Sequence, residues 1–289
     1  MDFAQAILSF FGFAVGIAYN FLTQDLQQFA PDVAAVMLTL NQGLQAFSYA
    51  LLVILTLWNV IKTTSSYAEL KRPEVLVKML IRFILTKYFI SAAWSLVNGI
   101  FVVTGALIGA VFSLSGLMNP GDIWASMSAP DFGDQGIAGI ISDVISFINP
   151  LSKIPGLLLG LIAFIIAIVL SVTLILTVFG RFFKIYMFAA LSPIPLSTFG
   201  SESSQEVGRN FIKSFCAVSL EGLIIGLALI VFSAYAQNPI ITFDGLGVFD
   251  WIGTMAEEIT YIFTLIFNML LLMGIIKGSD QIVHRMFGF

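Results

Sequence analysis

From Pro155 to Gly180 the chain runs without one charged side chain, PGLLLGLIAFIIAIVLSVTLILTVFG. A hydrocarbon layer about 30 Å thick is crossed by ~20 apolar residues in a helix, which bonds its own backbone groups internally. Such a run can be a membrane helix and little else. Four more stretches approach or exceed span length with few or no charges inside, at about 44–63, 88–114, 212–236 and 257–276. Only 10% of the residues are charged and 58% are apolar, whereas soluble domains carry roughly 25% charged residues. The polar surface for a soluble fold is missing. The runs predict an all-α polytopic membrane protein with five crossings in contact with lipid.

The cations orient it. Lys62, Lys71, Arg72, Lys78, Arg82 and Lys87 lie between the first two runs, and Arg181, Lys184, Arg209 and Lys213 between the third and fourth. Lys277 and Arg285 follow the fifth, and Lys153 is the one exception among thirteen. Cytoplasmic loops collect Lys and Arg, so these segments are expected on the cytoplasmic side, with the C-terminus. Asp2, Asp25, Asp32, Asp122, Asp131, Asp134, Asp143, Asp244, Asp250, Glu257 and Glu258 are then expected outside. No cationic region precedes the first apolar stretch, so no cleaved signal peptide is expected.

Residues 3–22 are uncharged and could span. Yet Phe3, Ile7, Phe10, Phe11, Ala14, Ile17 and Phe21 recur at helical spacing, away from Gln5, Ser9 and Asn20. That pattern suits a helix lying at the outer interface or packed on its neighbours. The interfacial helix is the expected form. It makes residues 1–43 an external N-terminal segment and residues 44–289 a single transmembrane domain. TSSYAELKRPEV (64–75) reads as a cytoplasmic turn, and Pro73-Glu74 as a helix start. From Pro73 to Leu114 no breaker except glycine appears, so a basic first part carrying Lys78, Arg82 and Lys87 should lie in or below the inner interface. That part is either solvated and headgroup-bound or a dock for a cytoplasmic partner. Segment 115–154 reads as an outer loop with a short surface helix at 136–148, and 237–251 as a second.

After the cations Arg181 and Lys184 come only the uncharged residues Ile185 to Ser192 before Pro193 and Pro195. Eight helical residues reach ~12 Å and the prolines bar simple continuation, so 185–200 should be a broken hairpin that dips and returns. Its inner mouth would carry Arg181, Lys184, Pro193, Pro195, Arg209 and Lys213. Glu221 is the one acid well inside a span, costly in lipid and expected to face protein or water, as a structural pair or on a path. Gly105/Gly109, Gly156/Gly160 and Gly222/Gly226 are small-xxx-small pairs suited to close helix packing, within the chain or between copies. Asn59, Asn98 and Asn268 read as interhelical hydrogen bonds.

No nucleotide-binding loop, paired His/Cys cluster or serine–histidine arrangement is present. Cys216 is the single cysteine and lies in an apolar run, so it reads as an inert buried thiol. His284, beside Arg285, reads as solvated. No enzyme chemistry, cofactor or metal is expected. Any cargo would be moved with energy from another subunit.

The stretch RFFKIYMFAALSPIP through EVGRNFIK (Arg181 to Lys213), with the Lys71-Arg72-Pro73-Glu74 turn, resembles the TrbL-like polytopic inner-membrane proteins of type IV secretion and conjugation systems. These are the sixth VirB component, and the likeness is to the versions from Gram-positive conjugative elements. The resemblance implies a subunit at the base of a channel translocating DNA or protein across the bacterial cell membrane. It implies several copies and separate ATPases as partners, and no catalytic residues are carried over. Transient contact with DNA would follow from the cations. The alternative from another class is a small-solute transporter or channel using Glu221.

Overall fold

In a computed structural model the described residues are 3–64, 73–114, 154–237 and 256–288. Among them every regular element is helical: α1 (Phe3–Thr23), α2 (Leu26–Phe29), α3 (Pro31–Thr64), α4 (Pro73–Ser91), α5 (Ala93–Leu114), α6 (Ile154–Leu191), α7 (Pro193–Ser197) with a 3₁₀ turn (Thr198–Gly200), α8 (Gln205–Gln237) and α9 (Ala256–Met286). The protein is an all-α polytopic membrane protein. The turn at 65–72, the helix at 136–148 and the loop at 238–251 lie outside the described residues.

Among the described residues six helices, not five, are long and apolar enough to cross: α1, α3, α5, α6, α8 and α9. The chain forms two compact units. The first holds residues 1–23, 108–179 and 224–279. There α1, expected at an interface or against its neighbours, packs on its neighbours: Ile7, Leu8, Phe11, Ala14, Val15, Ala18 and Leu22 are all buried. Phe10 meets Phe164 at 6.3 Å and Phe21 meets Phe179 at 4.7 Å between ring centroids. Rising numbers match rising numbers, so α1 runs parallel to α6. Asn268 is buried here, and its Oδ1 has no partner.

The second unit holds residues 24–107, 180–223 and 280–289. Its α3 passes unbroken through residues 43 and 44, where the sequence suggested a domain boundary. The Tyr186 hydroxyl donates to the carbonyls of Leu26 and Ala30, and Phe29 stacks on Phe182 at 4.0 Å. Residues 26–30 therefore stand level with the end of α6. The acids that suggested an outer segment have local duties. Asp25 caps α2, its carboxylate accepting from Gln28 N at 2.7 Å, and Asp32 sits in the first turn of α3, where the helix dipole favours it.

The proline break falls where the sequence put it. α6 continues past Arg181 and Lys184 as one helix to Leu191, and the helix is interrupted at Ser192, whose own backbone stays helical, before α7 resumes at Pro193. Pro193 has no N–H, so the Ala189 carbonyl four residues earlier loses its helical donor. Asn41 of α3 replaces it, its Nδ2 donating to Ala189 O at 2.7 Å and Ser192 Oγ at 3.0 Å, while Ser192 Oγ donates to the same carbonyl at 2.8 Å. Asn41 is fully buried. Replacement by leucine removes both Asn41 bonds and leaves that carbonyl only the Ser192 hydroxyl, and a lost buried hydrogen bond costs about 0.5–1.5 kcal/mol. Asn41→Leu should lower the thermal midpoint of the detergent-solubilised protein, and an unchanged midpoint would deny the bond its role.

Beyond the break, α7 and the 3₁₀ turn pack on α3 and α4. Gly200 presses so closely on Leu52 that a Cβ there would overlap its Cδ1. The turn's own hydroxyls bond its backbone: Ser197 to Ile194 O at 2.6 Å, Thr198 to Pro195 O at 2.7 Å and Ser204 to Thr198 O at 3.0 Å. Irregular backbone near a membrane needs such internal bonding and burial. From the far side, Lys78 Nζ and Arg82 Nη2 of α4 converge on Glu202 Oε1 at 3.4 and 3.2 Å.

Candidate functional site

Around the end of α6 the second unit gathers charges from three helices. Arg181 and Lys184 come from α6, Glu221 from α8, and Asp280 and His284 from α9. Lys184 Nζ lies 3.4 Å from Glu221 Oε2 and 3.4 Å from Asp280 Oδ1, and His284 Nε2 lies 3.4 Å from that same Asp280 oxygen. One ammonium thus joins two carboxylates on different helices. The Glu221 side chain is 5% exposed, that of Lys184 42%. His284, expected in solvent, is half-buried against Asp280.

Arg181 is 1% exposed, so it cannot present its charge at a mouth. Its Nη2 donates to Ser219 O at 3.0 Å, and its Cζ stands 5.2 Å from the Phe101 ring centre and 5.9 Å from that of Phe182. Rings in that range attract a cation, more strongly when it is desolvated. Nε and Nη1 have no acceptor, and neither does the buried Ser219 Oγ. The deepest cation thus touches no carboxylate, while the half-exposed one touches two.

Gly222 makes room for this. A Cβ there would overlap Nη1 and Cζ of Arg181, so the glycine accommodates a guanidinium and not a second helix backbone. In the first unit, Gly226 faces the Phe112 ring, with Cε2 3.2 Å from where a Cβ would be. Gly105 and Gly109 face open space, Gly160 is buried, and the surroundings of Gly156 lie outside the described residues.

The six residues expected at the hairpin therefore divide. Pro193 is buried and Pro195 half-buried in the turn, while Arg209 and Lys213 are exposed one helical turn apart on α8. Asp280 and Asn41 escaped the sequence reading. Asp280 sits three residues beyond Lys277, in a segment read as tail, and Asn41 lies before the first run. The available signal for Asn41 was the proline itself, which announces an orphan carbonyl four residues back. Among the described residues no group of three His, Cys, Asp or Glu could hold a metal ion. Comparison with models of known protein families, with curated proteins and with solved structures returned no match.

Proposed function

We propose that this chain is a non-enzymatic channel or scaffold subunit of a TrbL-like kind, assisting transfer of DNA or protein across a bacterial cell membrane beside separate ATPases. The observation that carries the reading is the proline-broken turn. It is closed, self-bonded and held by α3 and α4, and it is followed at once by the exposed pair Arg209 and Lys213. A rigid re-entrant turn beside accessible cations suits a fixed rim that a polyanion passes, since phosphate contacts come from Lys and Arg and weaken with salt. The N-terminus is taken as external, because α1 runs in the same sense as α6. Six apolar helices then need not mean six changes of direction. Several copies would complete a channel.

A photo-crosslinking side chain in place of Arg209 or Lys213, in cells transferring labelled DNA, should capture that DNA. Label confined to partner subunits would reject direct contact. A Glu221 already tied to Lys184 needs no solute to account for it, so the transporter alternative gains nothing.

A further inference from the structure

α4 is amphipathic the unexpected way round. Its cation Arg82 turns inward to Glu202, and Thr86 and Ile90 are buried. Outward stand Leu76, Val77, Leu80, Ile81, Ile84 and Leu85, each at least 50% exposed. At 3.6 residues per turn these share one face, and Lys78 and Lys87 lie roughly two and a half turns apart, so they flank its opposite edges. Lys87 is exposed, and the Lys78 side chain is 72% exposed even beside Glu202. With four charged residues in 19, α4 is not among the helices able to cross.

We propose that α4 lies in the plane of the membrane with this stripe in the acyl region of a leaflet containing anionic lipid, Lys78 and Lys87 reaching its phosphates. Interfacial helices bury an apolar face to the headgroup boundary, and flanking Lys side chains favour anionic lipid. A second copy fits the face less well, because a two-fold contact between two such stripes would bring like charges together. Seated there, α4 separates the turn it covers from the acyl chains. This holds whatever the chain transports.

The test uses the full chain with Cys216→Ser, reconstituted in vesicles of phosphatidylcholine with phosphatidylglycerol. Nitroxide labels at Leu80→Cys and Ile84→Cys should collide freely with oxygen and little with an aqueous nickel chelate. A label at the buried Thr86→Cys should collide with neither. Lys78→Gln with Lys87→Gln should reduce co-purifying phosphatidylglycerol severalfold while leaving the oxygen contact. Strong nickel collisions at Leu80 would overturn the proposal, as would spin–spin broadening relieved by diluting unlabelled protein, which marks a second copy. Retention of phosphatidylglycerol no better than that of phosphatidylcholine would overturn its anionic part.

Discussion

Gly222→Ala should destabilise the protein by about 3–5 kcal/mol, and Arg181→Met should suppress most of that loss. The added methyl would occupy the place of the Arg181 guanidinium. An exposed arginine would step aside, but this one is boxed in by Phe101, Phe182 and the Ser219 carbonyl. Overpacking a tight site costs about 1–3 kcal/mol, and losing a hydrogen bond from a charged group adds roughly 1.5–3 kcal/mol. Arg181→Met alone should be neutral or stabilising by about 1–4 kcal/mol, since an apolar side chain there ends the desolvation of a cation with two unbonded donors. Thermal unfolding of the four proteins forms a double-mutant cycle. Additive losses would mean that the two residues do not share the site. Gain of stability with loss of DNA transfer in Arg181→Met would mark the buried cation as kept for function.

Lys184→Met should cost about 2–4 kcal/mol. It leaves Glu221 buried with no ammonium and takes from Asp280 its cation on α6. Removing one partner of a buried pair is worth roughly 3–5 kcal/mol, reduced here because water reaches the half-exposed lysine. Adding Glu221→Gln should return about half of the loss, because the stranded charge disappears while the Asp280 link remains broken. The measurement is the unfolding midpoint in detergent across the single and double variants. A Lys184→Met protein as stable as the parent would show that the cluster ties nothing together.

Much of the architecture was legible because it follows from solvent. Uncharged runs of span length leave a helix as the lipid-compatible form, and a Pro-x-Pro after them interrupts the helical bonding. The side chains of the site were less legible, since charge in a sequence carries no depth. Arg181 and Lys184 read alike as boundary cations, yet one lies under two aromatic rings and the other bridges two carboxylates. Asp25 and Asp32 read as markers of a membrane face, and their local work at two helix starts was not read. The glycine at 222 reads as a place for helix backbones to meet and instead leaves room for a guanidinium.

By itself, then, the sequence determined the solvent, the helical class, the long apolar runs and the place of the break, all consequences of local composition acting over one helix at a time. Only the tertiary structure decided which charge is buried, which carbonyl Asn41 rescues, that α1 packs as a core helix and which face of α4 is left outward. Each of those depends on atoms brought together from distant parts of the chain, where burial and pairing, not residue type, set the energy.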